Sequence, residues 1–336
     1  MLFLFHILIA IISLLIIIYS CTLFTNAIEH LGCKLKLGNN ATGSILAVIG
    51  TGLPETIVPL VAIIGAVILG NDIEVGKDIA LGAIIGSPFM LSTFALFSMG
   101  IFLIFKKRKN KELNFNTDNI LRDYKYFLIA YSIAILSAFL PNKILKICAV
   151  FVLVFLYGVF VYRTIDKSKQ CLCENILDEL IFSKFFKAKN YLCFVILQLI
   201  FSIVILTLSV HFFVGEIEYF AKIYSLSPVV LSLVITPFAT ELPECVNSII
   251  WLKNDKDDLA MANVIGATVF QATIPFSIGI LLTSWVLNLN ILINACVVIL
   301  ASLMIMLDIL MHKKIRLISL ILAGFFYFGY LLFILV

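Results

Sequence analysis

About ten stretches of roughly twenty apolar residues, separated by short polar loops, constrain this chain more than any other feature. A segment of that length and hydropathy crosses a bilayer as a helix, because lipid offers the backbone no hydrogen-bond partners and the segment has to satisfy its own. Of the 336 residues, 62% are hydrophobic, whereas a soluble domain has roughly 45–50%. The expected fold is all-α and polytopic, with spanning segments near 2–28, 43–70, 79–105, 126–140, 144–162, 191–214, 228–251, 259–282, 286–311 and 317–336. A cleavable signal peptide has a basic region in front of its apolar run. Residues 1–20 have none and are read as the body of the first spanning helix.

The basic residues sort by loop. Alternate loops hold Lys34 and Lys36, then 106–125, 163–189, Lys253 with Lys256, and Lys313, Lys314 and Arg316. The other loops hold Lys77, Lys143, Lys146 and Lys222, a split of 20 against 4. Short Lys/Arg-rich loops stay in the cytoplasm. The expectation is therefore a multi-pass protein of the plasma (inner) membrane with both termini on the extracytoplasmic side. The run Lys106, Lys107, Arg108, Lys109 beside the membrane suits anionic lipid headgroups. The eight cysteines are scattered and form no disulfide framework. Cys171 and Cys173 are read as reduced loop thiols.

The chain also repeats itself. Displaced by the 189 residues that separate Glu55 from Glu244, residues 24–55 lie over 213–244 without a gap. Identities fall at Phe24/Phe213, Ile28/Ile217, Glu29/Glu218, Leu37/Leu226, Thr51/Thr240, Leu53/Leu242, Pro54/Pro243 and Glu55/Glu244. After a shortened loop, Gly86-Ser87 lies over Gly266-Ala267. Five segments per half is an odd number, so the halves must enter the membrane oppositely. The expected organisation is a five-plus-five inverted-topology repeat: residues 1–162, a cytoplasmic linker 163–190, and residues 191–336. Such architectures place a binding site near the midplane between the halves.

The chemistry concentrates at the repeated stretch. Each copy puts a carboxylate directly after a proline inside an apolar segment: Glu55 after Pro54, and Glu244 after Pro243. An ionisable group there is costly and normally functional. Proline removes an intrahelical hydrogen bond, so both helices are expected to break and expose carbonyls near Thr51 and Thr240. Two carboxylates plus free carbonyls suit a hard cation; Ca²⁺ takes six to eight oxygens. Two facing negative charges also suit two monovalent ions or protons, which is the basis for exchange at a shared site. The small residues Gly82, Ala83, Gly86 and Ser87, and Ala260, Ala262, Gly266 and Ala267, permit close helix approach. Asn263 and Gln271 are candidates for the site or for bridging helices.

The stretches Thr-Gly-Leu-Pro-Glu at 51–55 and Thr-Glu-Leu-Pro-Glu at 240–244, each followed by a small-residue helix, resemble the α-repeats of the calcium/cation antiporter superfamily, the sodium/calcium exchanger fold. The resemblance spans nearly the whole chain. It implies exchange of Ca²⁺ for Na⁺, H⁺ or K⁺ by alternating access. By its pattern Glu55 and Glu244 are cation ligands, Thr51 and Thr240 contribute oxygens, Ser87 matches the serine of the third helix, and Asn263 matches the asparagine of the second repeat. The chain departs from that pattern elsewhere. Gly52 and Glu241 stand where the family has serine, Ala83 and Pro88 replace asparagines, and Ala267 and Thr268 replace Ser-Asn. Leu91 and Gln271 lie where relatives often carry a polar or acidic ligand. The missing hydroxyls weaken the case for Na⁺, and the extra carboxylate of Glu241 favours protons as counter-ion.

The expected function is thus secondary cation antiport, with a non-transporting cation sensor or scaffold of the same fold as the alternative. An enzyme has no support: there is no nucleotide motif, no His-Glu-x-x-His and no serine–histidine arrangement. The expected partners are cations and the bilayer, with no cofactor, no nucleic acid and no protein partner inferable. Other polar residues are given local roles. Glu29 and Glu218 are read as interfacial anchors and Asp308 as a local pairing with His312 and Lys313. Asp255, Asp257 and Asp258 are read as a solvated cluster. His211 is read as facing headgroups or relaying protons.

Overall fold

The computed structural model describes residues 2–52, 55–56, 59–60, 63, 73–106, 112–168, 179–185, 192–223, 233–234 and 236–335. Cys171, Cys173, Lys107, Arg108, Lys109, Leu53, Pro54 and the side chain of Glu218 lie outside the described residues.

The described chain is almost entirely helical, which lets each long apolar segment satisfy its own backbone in lipid. Helix α1 is Leu2–Lys34. Helix α2 runs from Asn39–Ala41 through a π-helical segment Thr42–Ala47 to Val48–Thr51. Helix α3 comprises Ile73–Met90, a π-helical segment Leu91–Ala95, and Leu96–Phe105. Then come α4 (Thr117–Leu136), α5 (Lys143–Ser168), a short helix Ile181–Phe185, and α6 (Leu192–Ile223). Helix α7 is broken into Thr236–Thr240 and Leu242–Lys253. Helices α8 (Asp257–Leu282), α9 (Leu289–His312) and α10 (Leu317–Leu335) complete the set.

Seven helices among the described residues are long and apolar enough to cross a membrane. Of the other three expected spans, α2 and α7 are described in pieces. The third, α4, starts at Thr117, well before the expected 126, and its first turns carry Asp118, Arg122, Asp123 and Lys125. Charge at that end sets it apart from a uniformly apolar span.

Helix α8 is the hub. Of its apolar window 78% is buried inside the protein, against 17% for α5, whose Phe151 and Phe155 face outward. In lipid an outward-facing Phe is in its preferred solvent, so helix association rests on close packing rather than on hiding apolar surface. Two glycines among those at close helix contacts show that packing most directly. A Cβ on Gly266 of α8 would sit 2.3 Å from the Cα of Ser44 in α2. A Cβ on Gly86 of α3 would sit 2.4 Å from the carbonyl oxygen of Leu233, just ahead of α7. Ser44 and Leu233 are equivalent under the 189-residue displacement, and Gly86 and Gly266 are the aligned pair. Each repeat therefore places its glycine against the other repeat's broken helix. Residues 233–234 are π-helical, at the positions matching the π-helical segment of α2.

The breaks obey the same symmetry. Helix α2 stops at Gly52 (φ −76°, ψ 9°), whose N–H donates to Val48 O at 2.8 Å. Helix α7 breaks at Glu241 (φ −87°, ψ −1°), whose N–H donates to Pro237 O at 2.9 Å. Gly52 and Glu241 are repeat-equivalent, so the break falls two residues ahead of the proline rather than at it. Pro243 opens the second half of α7, where a missing N–H has no intrahelical acceptor to lose.

At the face carrying the basic loops, Asp255 is exposed, as expected of a solvated acidic residue, but Asp257 and Asp258 are not left to solvent. Asp257 accepts the N–H of Asn114 at 2.9 Å and Asp258 that of Asn116 at 2.7 Å. The Lys106 ammonium donates to Leu252 O, Lys253 O and Asp255 Oδ1, tying α3 to the end of α7. A two-residue antiparallel pairing, Glu112 with Arg316 and Leu113 with Ile315, closes the same face. Asp308 makes the expected contact with His312 (3.0 Å) and also accepts from Arg316 and Ser319.

Candidate functional site

Two helix breaks and one glutamine build the site. Ending α2 at Gly52 and restarting α7 at Leu242 brings Glu55, Glu241 and Glu244 together, with one carboxylate oxygen of each within 4.8 Å of the others. All three side chains are buried, and Glu241 and Glu244 are fully so. Among the described residues this is the one cluster of three or more His, Cys, Asp or Glu with metal-ligand spacing.

Gln271 of α8 joins the halves. Its Nε2 donates to Glu55 Oε1 at 3.2 Å and to Glu241 Oε2 at 2.8 Å. Asn263, two turns earlier on α8, donates to the Glu244 carbonyl oxygen and to Ser248 Oγ, each at 3.1 Å. The small residues of α8 let it lie close enough for both amides to reach. The Thr51 hydroxyl lies against Glu244 but donates to Ala47 O at 3.1 Å. The Ser87 hydroxyl lies against Glu241 and donates to Ala83 O at 3.2 Å. Thr240 turns to its own helix, donating to Thr236 O and Pro237 O. All eight residues expected at the site are buried. Seven of them gather on the carboxylates directly or through one contact, while Thr240 contributes a buried hydroxyl at the break itself.

Six oxygens in this group are buried without a hydrogen-bond donor: Glu55 Oε2, Glu241 Oε1, both carboxylate oxygens of Glu244, Asn263 Oδ1 and Gln271 Oε1. Each such atom costs about 1–3 kcal/mol of desolvation. Three carboxylates at this spacing also repel one another strongly in a low-dielectric interior. A hard cation removes both penalties, since it takes six to eight oxygens of this kind. The donor set is all oxygen, which suits Ca²⁺ and excludes the thiolate and imidazole chemistry of a structural zinc site.

Some residues have partners that were not expected, and others were missed. Glu29, read as an interfacial anchor, accepts from the Trp251 indole at 2.8 Å and pairs with the Lys256 ammonium, joining α1 to the loop after α7. His211 is exposed, with its ring edge-on to Phe212. Ser248 and Asn247, one turn beyond Glu244, are fully buried polar side chains that sequence reasoning did not single out. Their spacing of three and four residues from Glu244, on the same helix face, was the signal available.

Comparison with known proteins bears on the family and the fold. A model of the family described as "Sodium/calcium exchanger protein" matches residues 5–165 and 194–336. The inner membrane protein YrbG of Escherichia coli (strain K12) is 21% identical over 275 residues, covering 81% of this chain and 78% of that protein. The solved structure of the sodium-calcium exchanger NCX_Mj, soaked with 2.5 mM Na⁺ and 0.1 mM Ca²⁺, superposes with a TM-score of 0.72 at 18% identity, covering 98% of each chain. The same exchanger soaked with 2.5 mM Na⁺ and 10 mM Sr²⁺ gives 0.71 at 18% identity and the same coverage. The fold is thus that of an exchanger. With the family matched over both halves of the sequence, the chain belongs to the sodium/calcium exchanger protein family, a family of membrane transporters rather than enzymes.

Proposed function

We propose that this protein is a secondary active antiporter that exchanges a divalent cation, Ca²⁺ in first place, for a monovalent counter-ion by alternating access. Glu55 and Glu244 are the midplane ligands and Glu241 the third carboxylate. The observation that carries this reading is the cluster of three buried carboxylates within 4.8 Å, contributed by both repeats. Thr51, Ser87, Asn263 and Gln271 supply further oxygens, and Thr240 shapes the break that positions Glu241 and Glu244. The Lys-rich face is assigned to the cytoplasm of an inner membrane, and its basic loops to contact with anionic lipid.

Protons are the proposed counter-ion. Fully ionised, the cluster carries three negative charges. Protons neutralise those charges without needing a coordination shell of their own, and a divalent ion entering the cluster displaces them. Gly52 and Ala267 lack the hydroxyls that the exchanger-repeat resemblance implies at those positions, which removes oxygens a Na⁺ site needs. Glu241 in contact with Gln271 returns a carboxylate to the cluster, so negative charge is kept although α8 contributes an amide.

Counter-ion-resolved flux in proteoliposomes tests this. Ca²⁺ uptake driven by an acid interior, with no Na⁺ present, is the expected result. Uptake driven by a Na⁺ gradient and indifferent to pH would replace protons by Na⁺. No flux under any gradient, with Ca²⁺ still raising the thermal midpoint, would establish the sensor reading instead.

A further inference from the structure

We propose that Asn247 is a polar station for the cation between Glu244 and the Lys-rich face, and that the Glu29–Lys256 ion pair closes the far end of that path. The inference rests on the antiporter reading for its transport consequence, but not for its geometry.

Asn247 is 0% exposed, and neither its Oδ1 nor its Nδ2 has a hydrogen-bond partner. Buried side-chain amides are nearly always paired, and an exception asks for an explanation. Its position supplies one. It lies three residues beyond Glu244 on the same helix, hence one turn further toward Lys253 on the same face. The walls beside it are polar. Ser248 takes the Asn263 amide, and Asn263 Oδ1 is itself without a partner.

Helix α1 runs beside this half of α7 in constant register. Cys21 Sγ lies 3.9 Å from Pro243 O, and Glu29 Oε1 lies 2.8 Å from Trp251 Nε1. Both pairs are 222 residues apart, which puts the buried Thr25 level with Asn247. A file of polar groups therefore leads from Glu244 past Asn247 and Thr25 to Glu29. At its end Glu29, 9% exposed, is held by the Lys256 ammonium and the Trp251 indole. While Lys256 is in place it occupies the carboxylate that a departing cation would meet. This contact links α1 to the α7–α8 loop, so relative motion of these elements breaks it and presents Glu29 to the cation.

Cysteine accessibility tests the path independently of transport. Asn247→Cys, alone and with Glu29→Gln, is treated in membrane vesicles with a charged thiol reagent that does not cross lipid. Labelling is read by mass spectrometry at residue 247. Asn254→Cys, exposed at the Lys-rich face, reports that the reagent reaches that face. The expected result is labelling of residue 247 from that face, about tenfold faster when Glu29→Gln frees the end of the path and slowed by Ca²⁺. No labelling at 247 in either background, with Asn254→Cys fully labelled, overturns the proposal.

Asn247→Leu keeps the volume and removes the amide, and serves as the second variant. The expected result is Ca²⁺ flux about tenfold slower, with the Ca²⁺-induced rise in thermal midpoint retained. Unchanged flux with a lowered midpoint would make Asn247 a packing residue and sink the idea. If the unmutated chain shows no flux while Asn247→Cys still labels at residue 247, the antiporter reading fails and the path stands.

Discussion

Glu55 and Glu241 share one hydrogen-bond donor: Gln271 Nε2 reaches both, at 3.2 and 2.8 Å. The carboxylates come from different halves of the chain, and the amide comes from the buried hub helix. Gln271 therefore couples the two repeats at the point where their charges converge. Helix α8 contributes an amide here, and α7 carries an additional carboxylate three residues before Glu244.

This exchange of charge between α7 and α8 has a measurable consequence. Glu241→Ser alone is expected to lose most Ca²⁺ flux. Adding Gln271→Asp returns a carboxylate on the facing helix and restores a substantial part of it. A coupling of about 1.4 kcal/mol or more between the two positions, a tenfold difference in rate, is expected for groups in direct contact. Additive losses in a double-mutant cycle would show that the two positions act separately.

Glu55→Gln and Glu244→Gln are each expected to abolish Ca²⁺ flux while the protein still inserts and folds. Without cation, both variants should melt higher than the unmutated protein, because each removes one member of a mutually repelling cluster. The unmutated protein should gain about 2.7 kcal/mol at a Ca²⁺ concentration one hundred times its Kd, and the variants should lose that gain. Thermal melts in detergent with and without Ca²⁺ measure both effects.

Packing through glycine gives a stability test away from the carboxylates. Gly266→Ala pushes a methyl to 2.3 Å from the Ser44 backbone, and Gly86→Ala pushes one against the Leu233 carbonyl. Neither backbone can move aside cheaply, so each substitution should cost about 1–3 kcal/mol. Gly158→Ala meets nothing within 4 Å and should be neutral or stabilising by about 0.5–1 kcal/mol, as alanine is the better helix former. Equal melting of all three variants would contradict this account.

Asp257 and Asp258 fasten the loop after α3 by accepting two backbone N–H groups. Asp257→Ala or Asp258→Ala should loosen that loop at a cost of about 1 kcal/mol. Hydrogen exchange read at Asn114 and Asn116 should speed up in the matching variant. Unchanged exchange at those amides would return the acidic cluster to a solvent-facing role.

Much of this was legible from residue order. Hydropathy specifies the all-α membrane class because continuous apolar runs of about twenty residues cross lipid as helices, whereas barrel strands are shorter and alternate. The displaced identities mark Glu55 with Glu244 as partners because an inverted repeat writes the same local chemistry twice. The helix breaks were expected, but at the prolines. The structure puts them at Gly52 and Glu241, and in α7 Pro243 sits comfortably in the first turn of the helix that follows. Glu29 was read as an anchor because helix ends in lipid usually meet headgroups. Its true partners, Trp251 and Lys256, lie more than 220 residues away, and nothing local announces them.

The sequence by itself determined the fold class, the family resemblance and the identity of the carboxylates, because these follow from composition and from short motifs repeated at one displacement. Tertiary structure alone decided that Glu241 joins Glu55 and Glu244, that one amide of Gln271 spans the two repeats, and that Asn247 is buried with its amide unpaired. Those facts depend on how closely α8 can approach α2 and on the register of α1 against α7. Both are set by packing between helices that are remote in the chain, with glycine where backbones meet, and no local pattern encodes such distances.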